Sequence, residues 1–376
     1  MPRAFELAGL DGANPLGFLA ALGTLVCLQS SVAGQPRLLW KRRARWIPVV
    51  EGVDAGTEEE LATIVARSLR GKPVPQDAEA RRASAEREME RARTAINNKR
   101  KEFRQRGLRG RELREAVERE LLPLRDDYEK WRLQWLQALR EAVPRPELAL
   151  GQRIDCTPAE YREHVQALMA SADRLSRDPL DMFASFGVDA VRWDNADSIV
   201  PTPFCFTTGS GHQNFLETAR ELMSRVSTES VRRTLFAPWD YRDERFSMRW
   251  DPIEDRRYAL MDRDPTASGN KARTVWMANL LAYRGLALFP TAAIGRALAA
   301  AGWDAQQTSF TWPLWEQPVG LDVTRSLVQL RELIAERPDP AVLRARGIAV
   351  VYRANRVVVG AGANRKVNFS PARAIV

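Results

Sequence analysis

The segment Ile199–Leu222, IVPTPFCFTTGSGHQNFLETAREL, predicts a strand that leads through a loop into a helix. Its apolar first part is interrupted by Pro201 and Pro203, and each proline removes a backbone donor from a sheet ladder. Prolines in strands are confined to sheet edges and bulges. The sequence therefore places this strand at a sheet edge or at a bulge, with the helix beginning near Asn214.

The loop between this strand and helix is built from small residues, Thr207 to Gly211, and is followed by His212 and Gln213. Glycines let a backbone turn tightly, and the start of a helix presents free amide groups and the positive end of its dipole. Such a junction can bind an anion, including a nucleic-acid phosphate. A purely structural turn explains the same residues equally well. With no triad acid to pair with it, His212 is interpreted as a contact residue rather than a catalyst.

Composition favours a globular protein with a basic surface. The 376 residues allow about two domains, and the net charge of +9 is carried almost entirely by arginine. The planar guanidinium suits phosphates and base edges, although a high-GC genome also enriches arginine. Three widely spaced cysteines favour reduced thiols and a cytoplasmic location. No apolar run reaches the length of about 18 residues that a transmembrane helix needs.

The pattern of the chain predicts an α+β fold, helix-rich with small antiparallel sheets. Residues 1–75 and 144–376 form the main domain, in an N-terminal α/β part and a central and C-terminal α+β part. Residues 76–143 are charge-dense, and within them residues 81–143 hold 18 Lys or Arg and 12 Asp or Glu, a net +6. Met89, Ile96 and Phe103 recur every seven residues, which predicts an inserted antiparallel helical hairpin, a coiled-coil arm, with a kink at Pro123.

Local signals predict several elements of the main domain. Asn14 followed by proline is typical of a helix start, and glycines at 17 and 23 indicate close approach of another element. Thr57 and Thr157, each with glutamate three residues later, predict capping boxes. The pattern also predicts a strand over 246–250, helices over 274–287 and 291–301, a strand over 308–315, and a hairpin turning at Ala354-Asn355.

A basic turn lies between two predicted strands near the N-terminus. Its cations and flanking tryptophans are Trp40, Lys41, Arg42, Arg43, Arg45 and Trp46. A solvated turn explains the charges alone. Cations beside indoles also offer phosphate contacts and base stacking, which is how single-stranded nucleic acid is held. Nucleic-acid contact and a plain turn are thus equal alternatives here.

Residues for catalysis are scarce. The chain has two histidines, His164 and His212, and no Gly-x-x-x-x-Gly-Lys-Ser/Thr loop, so zinc chemistry and an ATPase motor are unsupported. Acidic residues cluster at 240–244 and 251–255 and could hold Mg²⁺ for phosphodiester cleavage. Arginines are interleaved with them, which favours ion pairing within turns. We therefore expect no enzyme activity, cofactor or metal; a nuclease using Asp251, Glu254 and Asp255 is the enzymatic alternative.

Three strings are similar to a known family: Asp11–Gly23 (DGANPLGFLAALG), Arg249–Leu260 (RWDPIEDRRYAL) and Phe310–Trp315 (FTWPLW). They resemble proteins of type I-G (formerly I-U) CRISPR–Cas loci, either the Cascade large subunit or an extension of the helicase-nuclease. The resemblance covers the N-terminal segment and roughly residues 180–335, without the arm. It implies a non-catalytic subunit of an RNA-guided antiviral complex, in which guide pairing reads sequence.

The resulting hypothesis is a subunit that binds target DNA or a guide–target duplex and helps recruit partner subunits, including a helicase-nuclease. The predicted contacts are Lys41, Arg42, Arg43, Arg45, His212, Gln213, Arg256, Arg257, Lys271 and Arg273. Cations would contact phosphates, and Gln213 a base edge or sugar. The main alternative is a protein–protein adaptor that docks the helicase-nuclease through the arm. Neither hypothesis assigns the protein to a membrane.

Overall fold

The computed structural model describes residues 3–31, 34–154, 156–171, 177–192, 199–207, 214–252, 273–359 and 366–376. The chain divides into two compact units, one formed by Met1–Gly71 with Gln152–Val376 and the other by Lys72–Gly151. Helices account for about 52% of the structure and strands, in small antiparallel sheets, for 18%, which confirms the predicted α+β class. Within the described residues, no helix combines the length and apolar character needed to cross a bilayer.

The described α-helices run in chain order as α1 (Pro15–Gln29), α2 (Glu58–Arg70), α3 (Gln76–Gln105), α4 (Gly110–Ala116), α5 (Leu122–Glu141), α6 (Pro158–Ser171), α7 (Asp178–Phe186), α8 (Phe215–Ser224), α9 (Thr228–Phe236), α10 (Trp276–Gly285), α11 (Leu321–Val328) and α12 (Pro340–Ala345). Short 3₁₀ helices lie at Pro146–Ala149, Leu286–Leu288 and Arg331–Ile334.

The described strands are β1 (Phe5–Glu6), β2 (Arg37–Arg42), β3 (Trp46–Glu51), β4 (Gly187–Arg192), β5 (Ile199–Pro201), β6 (Asp243–Glu244), β7 (Arg273–Thr274), β8 (Thr291–Ile294), β9 (Ala297–Ala300), β10 (Ser309–Trp315), β11 (Ile348–Val359), β12 (Lys366–Phe369) and β13 (Arg373–Ala374). One sheet has the order β1-β3-β2, and another the order β10-β11-β12 with β13 also paired to β11. The remaining strands form the two-stranded ladders β4-β5, β6-β7 and β8-β9.

Helix α1 is the centre of the larger unit and is buried from Pro15 to Leu28. Its N-cap is confirmed, because the Asn14 Oδ1 accepts hydrogen bonds from the amides of Leu16 at 2.8 Å and Gly17 at 3.2 Å. Such a cap satisfies amides that have no partner inside the helix.

Helices α1 and α10 cross at glycines, as the sequence predicts for position 23. A Cβ atom on Gly23 would lie 1.7 Å from the Leu281 carbonyl oxygen, and one on Gly285 would lie 2.4 Å from the Leu19 carbonyl oxygen. Neither position therefore accepts a side chain without separating the helices.

Phe18, on α1, joins both larger sheets. Its ring stacks on Trp40 of β2 with centroids 5.8 Å apart, and on Trp312 of β10 at 5.6 Å. The Trp312 indole N–H donates to the Gly12 carbonyl at 2.9 Å, and that of Trp315 donates to the Leu38 carbonyl at 2.8 Å. Stacked aromatic pairs add stability beyond the area they bury, so these contacts fix the two sheets on α1.

The segment 199–222 contributes a second part of the core. Its strand is shorter than predicted, since β5 ends at Pro201, and the β4-β5 ladder contains an irregularity beyond Val188. Phe204 then lies fully buried, with ring centroids 4.9 Å from Phe310 and 5.2 Å from Trp303. The predicted anion loop at 208–213 lies outside the described residues, and α8 begins at Phe215 as predicted.

Capping was predicted correctly for two further helices. At α6, the Thr157 amide donates to Glu160 at 2.8 Å and the Glu160 amide donates to the Thr157 hydroxyl at 3.2 Å, which is a complete capping box. At α2, the Glu60 amide donates to the Thr57 hydroxyl at 3.1 Å, but the Glu60 carboxylate accepts from Gly56 instead. The second half of that box is therefore displaced by one residue.

The prediction of a helix over 291–301 is wrong. These residues form the β8-β9 hairpin, in which Ile294 pairs with Ala297. Gly295 has φ +60° at the first central position of the two-residue turn, a position that glycine favours in hairpins. The turn geometry thus overrides the helix propensity of the alanines.

The prediction of a strand over 246–250 is also wrong. Arg245, Phe246 and Arg249 have positive φ values of 66°, 52° and 63°, which no strand accommodates. Groups elsewhere in the chain hold this backbone: the Met248 amide donates to the Asn279 side chain at 2.8 Å, and the Trp250 indole donates to the Phe204 carbonyl at 3.0 Å.

The C-terminal hairpin predicted at Ala354-Asn355 does not form. Strand β11 instead runs without interruption over the 12 residues Ile348–Val359, which include Ala354 and Asn355. It pairs with β10 through Asn355 and with β12 from Arg356 onward, so both neighbours need an uninterrupted strand.

The smaller unit is a helical hairpin, and the predicted arm, residues 76–143, forms most of it. Helix α3 packs on the chain that returns through α4, a π-helical turn at Val117–Leu121, and α5. Pro123 lies in the first turn of α5, where helix type changes and a missing amide is tolerated. Two apolar clusters hold the hairpin: Met89 with Trp135, Leu136 and Leu139, and Ile96 and Phe103 with Ala116 and Leu121. A supercoil between the helices stays a prediction.

We expect Gly23→Ala to destabilise the larger unit by about 3 kcal/mol or more, because the new methyl would push α1 from α10. Chemical denaturation of the full chain would measure this. Gly320→Ala is the control, since a Cβ there meets nothing within 4 Å, and it should cost less than about 1 kcal/mol. Equal losses in the two variants would contradict the tight crossing.

Candidate nucleic-acid interface

The predicted basic residues of the N-terminal region lie together at the tip of the β2-β3 hairpin. Arg42 pairs with Trp46 in the ladder, and the Arg43 amide donates to the Arg45 carbonyl at 3.0 Å to close the turn. We call this set the basic hairpin: Lys41, Arg42, Arg43 and Arg45. A short turn between two paired strands holds four cations in one place.

Glu6 of β1 is the carboxylate that pairs with the basic hairpin in the described part of the chain. Its Oε1 lies 3.1 Å from the Lys41 Nζ and 2.9 Å from the Arg43 Nη2. The hydrogen bond from Lys41, together with that from Arg43, holds the pKa of Glu6 below its usual range. One carboxylate paired with two of the four cations leaves the hairpin with a net positive charge.

The remaining two cations are oriented by other contacts. The Arg45 guanidinium donates to the Ala8 carbonyl, and the Arg42 guanidinium lies 6.0 Å from the centroid of the Trp46 ring. The side chains of Lys41 and Arg43 are 45% and 59% exposed. The cations are therefore positioned by the protein but are accessible to a phosphate.

The stacking role suggested for the two tryptophans is wrong. Trp40 is completely buried against Phe18, and Trp46 is only 8% exposed. Their indoles support the hairpin from beneath, so no base can stack on them. The basic hairpin thus offers charge and hydrogen bonds but not aromatic surface.

The other predicted contacts are less completely described. Arg273 is exposed on β7, where it faces Glu244 in the ladder with β6. The remaining predicted contact residues lie outside the described residues: His212, Gln213, Arg256, Arg257 and Lys271. Of the two histidines, His164 is buried with its ring centroid 5.2 Å from that of Phe183, which agrees with a structural role.

The acidic clusters pair with arginines and amides where they are described. Asp240 accepts from Arg233 and, at 3.2 Å, forms an ion pair with Arg242. Asp243 accepts from the Trp276 amide at 2.7 Å, and burial raises its pKa. Among the described residues, no group of three or more metal-ligating side chains occurs. The expected ion pairing within the turn is confirmed for Arg242 and Asp240.

Asp251, a candidate nuclease residue, has a structural position. It is fully buried, and its two oxygens accept from the Asn14 side-chain amide at 3.0 Å and the Tyr241 hydroxyl at 2.9 Å. Since Asn14 also caps α1, Asp251 orients that cap. Glu254 and Asp255 lie outside the described residues, so the three-carboxylate hypothesis is not tested as a set.

Sequence reasoning missed a groove formed by the ends of three helices. We call it the tryptophan–arginine groove, and its defining residues are Arg225, Arg233, Trp239, Arg242 and Trp276. They come from the residue after α8, the last turn of α9, the irregular segment beyond it, and the first residue of α10. The Trp-Asp-Tyr-Arg run at 239–242 is the local signal that could have indicated it.

No protein-family model matches the sequence, and the search of curated proteins finds no match.

We expect Asn14→Ala to cost about 2 to 4 kcal/mol, because it removes an N-cap and also a donor to a buried carboxylate. Thr57→Ala is the matched control: it removes the cap of α2 at a more exposed position and should cost about 1 kcal/mol. Denaturant unfolding would measure both. Similar costs for the two variants would count against the structural role of Asp251.

Proposed function

We propose that this chain is a non-catalytic, nucleic-acid-binding subunit of a CRISPR–Cas effector complex in the cytoplasm. The observation that supports the binding function is the basic hairpin, where four cations lie on one short turn and Glu6 pairs with two of them. Cations fixed in this way bind phosphates without reading sequence. The resemblance to type I-G proteins supplies the class of complex, in which guide pairing would read the target.

The binding role is supported by the way in which the hairpin is held. Phe18 stacks beneath Trp40, and β3 joins the hairpin to β1, so the tip is anchored in the core. Cations that are already held in position lose less conformational entropy when they bind a phosphate than cations on a flexible tail do. Target DNA or a guide–target duplex is therefore the proposed ligand.

The combined change Lys41→Ala, Arg42→Ala, Arg43→Ala and Arg45→Ala should weaken binding to a labelled 20-base-pair duplex by at least about tenfold. Each lost phosphate contact should also reduce the slope of log K against log salt by about 1. Fluorescence anisotropy across a series of sodium chloride concentrations measures both. Glu6→Gln should act in the opposite direction, because it releases Lys41 and Arg43 from their internal partner.

The control removes the same charge from exposed arginines elsewhere in the larger unit: Arg296, Arg331, Arg337 and Arg344, each changed to alanine. It should lower affinity much less, since only the general charge of the protein changes. An equal loss in this control, or an unaltered salt slope in the hairpin variant, would reject the basic hairpin as the interface.

A second function, protein–protein adaptor, is favoured by exposed leucines on the smaller unit. Leu113, Leu122 and Leu133 are 36%, 41% and 49% exposed, although other apolar residues of that unit are buried in its two clusters. Leu113 lies on α4, and Leu122 and Leu133 lie on α5. Exposed apolar side chains of this kind can form a binding surface for protein. The proposed partner is another subunit of the complex, including the helicase-nuclease.

Replacing residues 73–143 by a short Gly-Ser linker should abolish co-purification of the partner subunits and leave duplex affinity within about twofold. The linker can be short, because the Lys72 amide donates to the Pro144 carbonyl at 2.9 Å. Leu113→Gln, Leu122→Gln and Leu133→Gln together should have the same effect without removing the unit. Arg91→Gln, Arg111→Gln and Arg119→Gln form the control, and retained assembly in the leucine variant would exclude this surface.

A further inference from the structure

The tryptophan–arginine groove encloses a cavity of about 130 Å³ beside the first turn of α10. Three of its side chains are guanidinium groups, two are indoles, and two carboxylates, Asp240 and Asp243, complete its charged lining. None of these residues belongs to the basic hairpin. The groove therefore requires its own explanation.

Both indoles of the groove are held by the backbone. The Trp239 Nε1 donates to the Thr234 carbonyl at 3.0 Å, and the Trp276 Nε1 donates to the Arg245 carbonyl at 3.1 Å. Each ring is thereby fixed in orientation while remaining partly exposed. Fixed, accessible indole surface suits a planar aromatic group, since stacking on it costs little conformational freedom.

Arg225 is fixed by the same aromatic residues. Its guanidinium carbon lies 4.8 Å from the centroid of the Trp276 ring and 5.1 Å from that of Phe246, and it also pairs with Glu221. Stacking of a guanidinium on an aromatic ring leaves its edge N–H groups available for hydrogen bonds.

The other two guanidiniums converge on one internal anion. Arg233 and Arg242 both reach the Oδ2 of Asp240, whose side chain is 34% exposed. Two arginines oriented toward a single oxygen form a geometry that suits a phosphate. The phosphate of a ligand could therefore occupy the place of the Asp240 carboxylate between the two guanidiniums.

The second carboxylate of the groove is already bound. The Oδ2 of Asp243 accepts from the Trp276 amide at the start of α10, where the helix dipole favours negative charge. Its hydrogen bond is thus directed at the helix. Asp240 is therefore the carboxylate of the groove that pairs with Arg233 and Arg242 among the described residues, while Arg225 pairs with Glu221.

We propose that the tryptophan–arginine groove binds a nucleotide unit, with its phosphate on Arg233 and Arg242 and its base against the indoles of Trp239 and Trp276. The phosphate displaces the carboxylate of Asp240 from the two guanidiniums. This inference uses no residue of the basic hairpin and stands independently of it. The nucleotide is either free or part of a single strand.

Isothermal titration calorimetry on the full chain tests the proposal with AMP, adenosine and inorganic phosphate. AMP should bind at least about tenfold more tightly than either fragment, because both halves of the site contribute. An oligodeoxythymidylate of five nucleotides, titrated into the basic-hairpin variant so that the hairpin does not contribute, distinguishes the sources: tighter binding than TMP assigns the groove to a strand, and equal binding assigns it to a free nucleotide. Absence of AMP, TMP and oligonucleotide binding at millimolar concentration would overturn the proposal.

Three variants separate the parts of the site. Arg233→Ala with Arg242→Ala should weaken AMP binding about tenfold or more, whereas Asp240→Asn should strengthen it by removing the competing charge. Trp276→Leu should weaken AMP by roughly 5-fold to 100-fold without changing phosphate binding. Because Arg233 and Arg242 are 52% and 76% exposed, their removal should leave the unfolding temperature nearly unchanged.

Arg296→Ala with Arg344→Ala is the matched control, since it removes two exposed guanidiniums elsewhere. AMP affinity should stay within about twofold in this control and in the basic-hairpin variant. An equal loss in the control, or weaker AMP binding in Asp240→Asn, would reject the site. Loss of duplex binding alone in the hairpin variant, with AMP binding intact, shows that the two interfaces are separate.

Discussion

The crossing of α1 and α10 at Gly23 and Gly285 is the constraint on which the larger unit depends. Backbone meets backbone there, so the two helix axes are fixed relative to each other. Each helix then positions one proposed interface. Through Phe18, α1 supports the Trp40 side of the basic hairpin, and α10 begins with Trp276, a wall of the tryptophan–arginine groove. Two separate surfaces are thereby built on one pair of helices.

Predictions from sequence were correct where the interacting groups are neighbours in the chain. Asn14 and Thr157 cap helices through amides two or three residues away, so the local pattern contains the whole interaction. Two of the errors occur where distant residues determine the backbone. Strand β11 continues past residue 355 because β10 and β12 bind its two halves, and the backbone near Met248 follows the side chain of Asn279.

In the candidate site, too, contacts between residues close in sequence were predictable, and contacts between distant residues were not. The cations of the basic hairpin are consecutive enough to be recognised from sequence, but their partner Glu6 lies 35 or more positions away, and the burial of Trp40 depends on Phe18. The groove gathers residues from several helix ends, which no local pattern indicates. The strings that resemble type I-G proteins include Gly23 and Trp312, which are buried, and Asn14, which caps α1. They accordingly bear on architecture more than on ligand contacts.

The Trp312 hydrogen bond to Gly12 spans 300 positions of sequence, and the Trp315 bond to Leu38 spans 277. During synthesis α1 emerges long before β10, the strand whose Trp312 stacks on Phe18. The almost wholly apolar helix α1 therefore lacks its contact with β10 until most of the chain that separates them has been synthesised. Folds dominated by such distant pairings form slowly and expose apolar surface while they do so. The same aromatic contacts that stabilise the finished core can thus form only after α1, β2 and β10 have all been synthesised.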